Sequence, residues 1–304
     1  MGSPHFAVPS LRALVERDHD VALVVTQPDR PAGRGGELRP PPVKIAAEDR
    51  GIETFQPESL RDEAVQARLA AVGADVFVVA AYGRILPREV LALPRLGCLN
   101  VHASLLPRWR GASPIAAAIL AGDSRTGVSI MELVPKMDAG PVVASTAVPI
   151  APGDSTASLE PRLARLGADL LVQTLGGWME GLLIAQPQDE AGVTTCPLLR
   201  KQDGHLRAAM SAAEAERAVR AYDPWPGAYV MFRDQRLAIW AAHVEDLPPA
   251  PPGTLGVVRK LPAIAFTDAW LVLEDVQRPG SSVMSGQAFL AGQHGKLPSS
   301  VSLA

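Results

Sequence analysis

Apolar positions in the first half of the chain alternate between short continuous runs and helical stripes. Residues 21–26, 76–80 and Cys98–His102 are runs of the fully buried strand type, and 52–55, 128–131 and 142–148 add further strands. Between them Val8, Leu11, Leu14 and Val15 recur at helical spacing, with Pro9 tolerable in a first turn. Residues 43–50 read as a helix closed by Gly51, 62–71 as one ended at Gly73, and Pro114–Ala121 as one ended at Gly122. Strands without polar alternation, separated by helices, predict an α/β domain on an open, mostly parallel sheet of Rossmann-like type, covered on both faces. Leu159, Leu163, Leu166, Leu170 and Leu175 then share one stripe of a long helix, with Ser158 as N-cap and Pro161 in the first turn.

From about residue 186 the pattern changes. Ser211 and Glu214 form a capping box that opens a short helix. Asp223-Pro-Trp-Pro-Gly227 is a rigid turn. Residues 229–232 and 237–244 flank a polar turn as a hairpin, and 255–258, 264–267 and 271–276 are more short strands. This half predicts a small antiparallel β-barrel or sandwich. The expected organisation is a catalytic domain over 1–185, a linker over 186–210 and a β domain over 211–304.

Composition narrows the class. With 304 residues, 47% of them hydrophobic and 20% charged, the chain can bury two cores. No apolar run reaches the length of a membrane span, and residues 1–5 resemble no secretory leader. The two cysteines, Cys98 and Cys196, exclude a disulfide scaffold and a zinc ribbon, and fit a cytoplasmic protein. The net charge of −3 does not announce nucleic-acid binding, so any such contact rests on local arginines.

Nucleotide-binding glycine fingerprints, a P-loop and a nucleophile elbow are all missing from the sequence. Chemistry concentrates instead in Gly97-Cys-Leu-Asn-Val-His-Ala-Ser-Leu-Leu-Pro-Arg-Trp-Arg-Gly111. Asn100 and His102 are two apart on a predicted strand, so both address one face at its carboxyl end, where open α/β sheets bind ligands. A carboxamide and an imidazole side by side can donate to one oxygen that becomes negative. Asp138, in the segment 135–141, offers a carboxylate that favours a charged imidazole and can relay a proton. On spacing alone these remain ordinary strand and turn residues. The 27–42 loop, rich in Pro, Gly and Arg, is long for a compact domain, which also hints at function. Trp178, Trp240 and Trp270 read as packing residues.

Asn100-x-His102, followed by Ser104-Leu-Leu-Pro107, Arg110-Gly111 and Asp138-x-Gly140, resembles the formyltransferases that use 10-formyltetrahydrofolate. Gln27-Pro-Asp-Arg-Pro-Ala-Gly-Arg-Gly35, Ala80-Ala-Tyr-Gly83, Ile85-Leu-Pro87 and Asp223–Gly227 are similar to the members that formylate methionyl-tRNA. The resemblance implies Asn100, His102 and Asp138 as the catalytic trio and a folate contact at Ser104, Leu105, Leu106 and Pro107. It also implies tRNA contact through Arg34 and through a C-terminal β-barrel of oligonucleotide-binding (OB) type. The reaction it implies is formyl transfer to initiator methionyl-tRNA for translation initiation, with 10-formyltetrahydrofolate as consumed co-substrate. A metal is not needed, no membrane is involved, and a monomer is expected. The alternatives are transfer to a sugar amine, hydrolysis of formyltetrahydrofolate, and a non-catalytic RNA- or folate-binding protein.

Three departures accompany the likeness. Members of the family open with a β-strand before the segment matching Gly2–Phe6, so that first strand is expected to be missing. Gly36-Glu37 and Ser281-Ser282 stand where basic residues are usual, which weakens the expected attraction to RNA.

Overall fold

A computed structural model describes residues 1–32, 37–293 and 297–304. The chain divides into two compact units. One comprises Met1–Pro114, Arg125–Pro149 and Glu160–Pro197, and the other Ile115–Ser124, Ile150–Leu159 and Leu198–Ala304.

In the first unit β1 (Val24–Val25) pairs in parallel with β2 (Thr54–Phe55), and β3 (Phe77–Val79) in parallel with β4 (Cys98–His102). Met1 and Gly2 lie between β1 and β3: Gly2 N donates to the Val25 carbonyl at 3.0 Å, and Ala80 N donates to the Met1 carbonyl at 2.9 Å. On the other side of β4 the sheet turns antiparallel through β5 (Arg125–Glu132) and β6 (Val142–Pro149). Continuous apolar runs report burial on both faces, and burial is the same for either strand direction.

All five residues of β4 are buried, the polar Asn100 and His102 included. The long helix, Thr156–Met179, covers it at Gly167, where a Cβ would stand 2.6 Å from Val101 Cγ1. The helix begins three residues earlier than the Ser158 cap predicts. The Ser155 hydroxyl accepts from Ser158 N at 3.3 Å, so Pro161 falls beyond the first turn. Its buried stripe runs through Leu159, Leu163, Leu171 and Leu175.

The 27–42 stretch is a β-hairpin, Arg30–Ala32 against Glu37–Arg39. Its base is tied by Lys44 Nζ, which donates to Asp29 Oδ2 at 2.9 Å and Gln56 Oε1 at 2.8 Å. Arg34 lies outside the described residues.

A cavity of about 330 Å³ opens beside Met1, lined by Leu11, Ala22, Leu23, Leu69, Val76 and Val78 among others. The Met1 ammonium donates into its edge, to the Val78 carbonyl at 2.6 Å. Burial lowers that amine's pKa from 8.0 to about 6. Ser10, also on the cavity wall, has a buried hydroxyl with no partner among the described residues.

In the second unit Ser211 and Glu214 close the expected capping box on the helix Ala212–Ala221. The strands β7 (Ala228–Phe232) and β8 (Gln235–Glu245) form the hairpin, turning at Arg233 and Asp234, both at positive φ. With β9 (Leu255–Val258), β10 (Leu261–Ala265) and β11 (Trp270–Gln277) the sheet order is β7-β8-β11-β10-β9. The sheet is not a closed barrel. Its two ends are spanned by the tail, where Ser302 bridges Met231 and Ser300 bridges Thr254 as isolated pairs rather than a ladder. The indoles of Trp178, Trp240 and Trp270 donate to the Leu96 carbonyl, Gln277 Oε1 and the Pro248 carbonyl, as packing residues with satisfied polar ends.

Candidate active site

Asn100 and His102 stand on β4 opposite Met131 and Ser129 of β5, and the period of two puts both on one face. They are 8% and 6% exposed. The Asn100 amide makes no side-chain hydrogen bond among the described residues, so its donors and acceptor are free to meet a ligand at the strand end.

His102 is oriented by the loop that follows it. Its Nε2 lies 3.0 Å from the Trp109 carbonyl. A carbonyl only accepts, so Nε2 carries the proton and, in the neutral ring, Nδ1 is the basic atom. Nδ1 is 3.8 Å from Asp138 Oδ2. That distance is too long for a direct hydrogen bond but sets the carboxylate beside the basic nitrogen.

The loop itself is locked. The Ser104 hydroxyl donates to the Arg108 carbonyl at 2.6 Å, and the Ser129 hydroxyl donates to the Ser104 carbonyl while accepting from Leu106 N. Leu105, Leu106 and Pro107 are half-buried. Arg108 stacks over the Trp109 ring at 4.9 Å. The structure therefore uses the side chain of Ser104 inside the loop and leaves the three apolar residues at its surface.

Asp138 sits at φ +47° on a turn between β5 and β6. Gly111 N donates to its Oδ2 at 2.8 Å. The two glycines of the motifs have direct steric reasons. A Cβ on Gly140 would stand 1.8 Å from the Glu132 carbonyl, and one on Gly111 would stand 2.1 Å from that of Cys196.

The second of these contacts involves a segment the sequence reads as linker. Thr195–Cys196 pairs in parallel with Arg110–Gly111. Thr194 Oγ1 accepts from Trp109 N at 2.9 Å. Gln188 and Glu190 accept from the Arg110 guanidinium, each at 2.9 Å, and Arg110 is 4% exposed. That hydrogen bond holds the Glu190 carboxyl below the usual range. Nothing in local composition marks these residues. The one available signal is Arg110 itself, a buried cation that requires a partner. No group of three side chains able to hold a metal occurs among the described residues.

A β4 strand ending in Asn-x-His, with an Asp-x-Gly turn facing it, belongs to a fold that comparison with known proteins identifies. Residues 1–175 match the formyl transferase model and residues 198–294 the formyl transferase C-terminal domain model, so the chain belongs to the formyl transferase family. Among its relatives, the methionyl-tRNA formyltransferase of Methylobacillus flagellatus is 47% identical, over 96% of this chain and 94% of that protein. The one of Dechloromonas aromatica is 48% identical over the same shares. Among solved structures, WlaRD, a sugar 3N-formyl transferase crystallised in the presence of dTDP and 5-N-formyl-THF, has a TM-score of 0.67. At 15% identity over 92% of this chain and 97% of that one, it supports the fold alone.

Proposed function

We propose that the protein transfers a formyl group from 10-formyltetrahydrofolate to the α-amine of methionine esterified to initiator tRNA. The carrying observation is the identity of almost half the residues along 96% of the chain to methionyl-tRNA formyltransferases. The site is compatible with such a co-substrate. The half-buried Leu105, Leu106 and Pro107 offer an apolar surface for a flat ring, and the unpartnered Asn100 amide offers a donor beside it.

Bound 10-formyltetrahydrofolate supplies the formyl carbon that the amine attacks; the new C–N bond replaces the one to the folate nitrogen. Asn100 donates to the formyl oxygen as negative charge develops there. His102 takes a proton at Nδ1, the one ring atom left basic by its bond to Trp109, and Asp138 stabilises the charge that results. That proton comes from the attacking amine and is returned to the departing nitrogen. Arg34 and the β-rich second unit are assigned to the tRNA, whose phosphates an arginine can pair with. Both cysteines are free and buried, in keeping with a reducing cytoplasm.

The test is an acceptor comparison with 10-formyltetrahydrofolate and three acceptors: initiator methionyl-tRNA, an amino-sugar nucleotide and water. Formylmethionyl-tRNA is the expected product. Transfer only to the sugar amine, or release of formate without any acceptor, would replace this reading with one of its two catalytic rivals.

A further inference from the structure

Asp138 occupies a left-handed backbone conformation that is uncommon for a residue other than glycine. Such a conformation persists only where its surroundings over-determine it. The side-chain end is held by Gly111 N. The backbone end is held by one residue: Gln188 Nε2 donates to the Asp138 carbonyl at 2.8 Å and to the Gly140 carbonyl at 2.7 Å. Its Oε1 accepts from Arg110 Nε at 2.9 Å, which fixes which end of the amide faces the turn. Arg110 precedes Gly111, so one dipeptide orients both the Gln188 amide and the Asp138 carboxylate. The strand pair Val142 and Gln186, bonded in both directions at 2.8 Å, fixes the chain two residues before Gln188.

We propose that Gln188 is a positioning residue for the formyl transfer: it holds the Asp138–Gly140 turn so that Asp138 Oδ2 stays within reach of His102 Nδ1. This inference rests on the catalytic role given to Asp138 above. Both amide hydrogens are engaged by the turn and the amide oxygen by Arg110, so Gln188 touches no substrate. Its loss should act on the rate of the bound complex rather than on binding.

The experiment compares Gln188→Met, which keeps the volume but makes neither bond to the turn, with Gln188→Glu, which can still accept from Arg110 but cannot donate twice. Steady-state kinetics with methionyl-tRNA and 10-formyltetrahydrofolate, and melting curves, are measured for each, alone and combined with Asp138→Asn. The expected result is a fall in kcat of about ten- to hundredfold, with both KM values unchanged and the fold intact. In the Asp138→Asn background the further loss should nearly vanish, because the two residues act through one carboxylate. Parental kcat in a folded Gln188→Glu protein, or the same factor lost with and without Asp138, would overturn the proposal. If Gln188→Met fails to fold, Gln188→Glu decides alone. Full activity of Asp138→Asn by itself would instead sink the role given to Asp138, an outcome distinct from failure at Gln188.

Discussion

Asn100 contributes a side chain that nothing among the described residues engages, 8% exposed at the end of a fully buried strand. Asn100→Ala removes no hydrogen bond made within the fold, so it should leave the fold intact and act on turnover. Removing one donor to a developing oxyanion costs about 10²–10³ in rate. Single-turnover transfer should fall by that factor while affinity for the folate changes little; an unchanged rate would remove Asn100 from the chemistry. Asn100 and His102 could be read from the sequence because a strand of period two makes position predict facing. Asp138 could be read as a candidate carboxylate in the segment 135–141, but not its place opposite His102, which depends on a turn between β5 and β6. Gln188 could not be read at all. Its partners are 48 to 78 residues away, and no pattern in its neighbours distinguishes a side chain that ties two loops together from one in solvent.

The elements that shape the site are its loops rather than its strands, and two glycines set how closely those loops approach. At Gly140 a Cβ would lie 1.8 Å from the Glu132 carbonyl, so the Asp138 turn must retreat if any side chain is added. Gly140→Ala should cost about 1–3 kcal/mol of stability, the scale of overpacking in a tight site, and should lower kcat because Asp138 moves with the turn. Gly153→Ala, with nothing within 4 Å of the new methyl, is the control and should match the parent in both. Equal behaviour of the two variants would show that the turn has slack the geometry denies. Element placement was legible wherever caps and apolar runs agreed, as at Cys98–His102, Pro114–Ala121 and the Ser211 capping box. Strand direction was not, since β5 is as buried as β4 yet runs opposite to it. Nor was closure of the second sheet, which depends on whether a tail pairs as a ladder or at two isolated bridges.

At the scale of the molecule, no helix among the described residues is long and apolar enough to cross a membrane, and each unit is described by its own packing. The first unit departs from close packing at the cavity of about 330 Å³ between 20–25 and 75–78, with the Met1 ammonium buried at its edge. That amine has a pKa of about 6 in the fold against 8.0 when solvated, because burial penalises its charge. Between those values the unfolded chain binds more protons than the folded one, so stability rises with pH through the window from 6 to 8. The difference is roughly 2–3 kcal/mol, complete above pH 8 and lost below pH 6. Phe77 bonds to Gly97 on the β4 side, which turns Val78 toward the cavity, where its carbonyl meets the ammonium. An extended segment fused ahead of Met1 would therefore continue the parallel bridge between Gly2 and Ala80 into the gap. The stretch 75–78 calls for about four residues at roughly 3.3 Å each, and Val or Ile suits the apolar lining. Such a fusion should raise the melting temperature by several degrees, through apolar burial and new ladder bonds. It should also abolish the pH dependence between 6 and 8, because no ammonium remains at that edge. Urea titrations at pH 6 and pH 8 on the fused and unfused proteins measure both effects. A fusion that leaves stability and its pH dependence as they were would mean that the segment stays in solvent and the two strand edges do not accept a third.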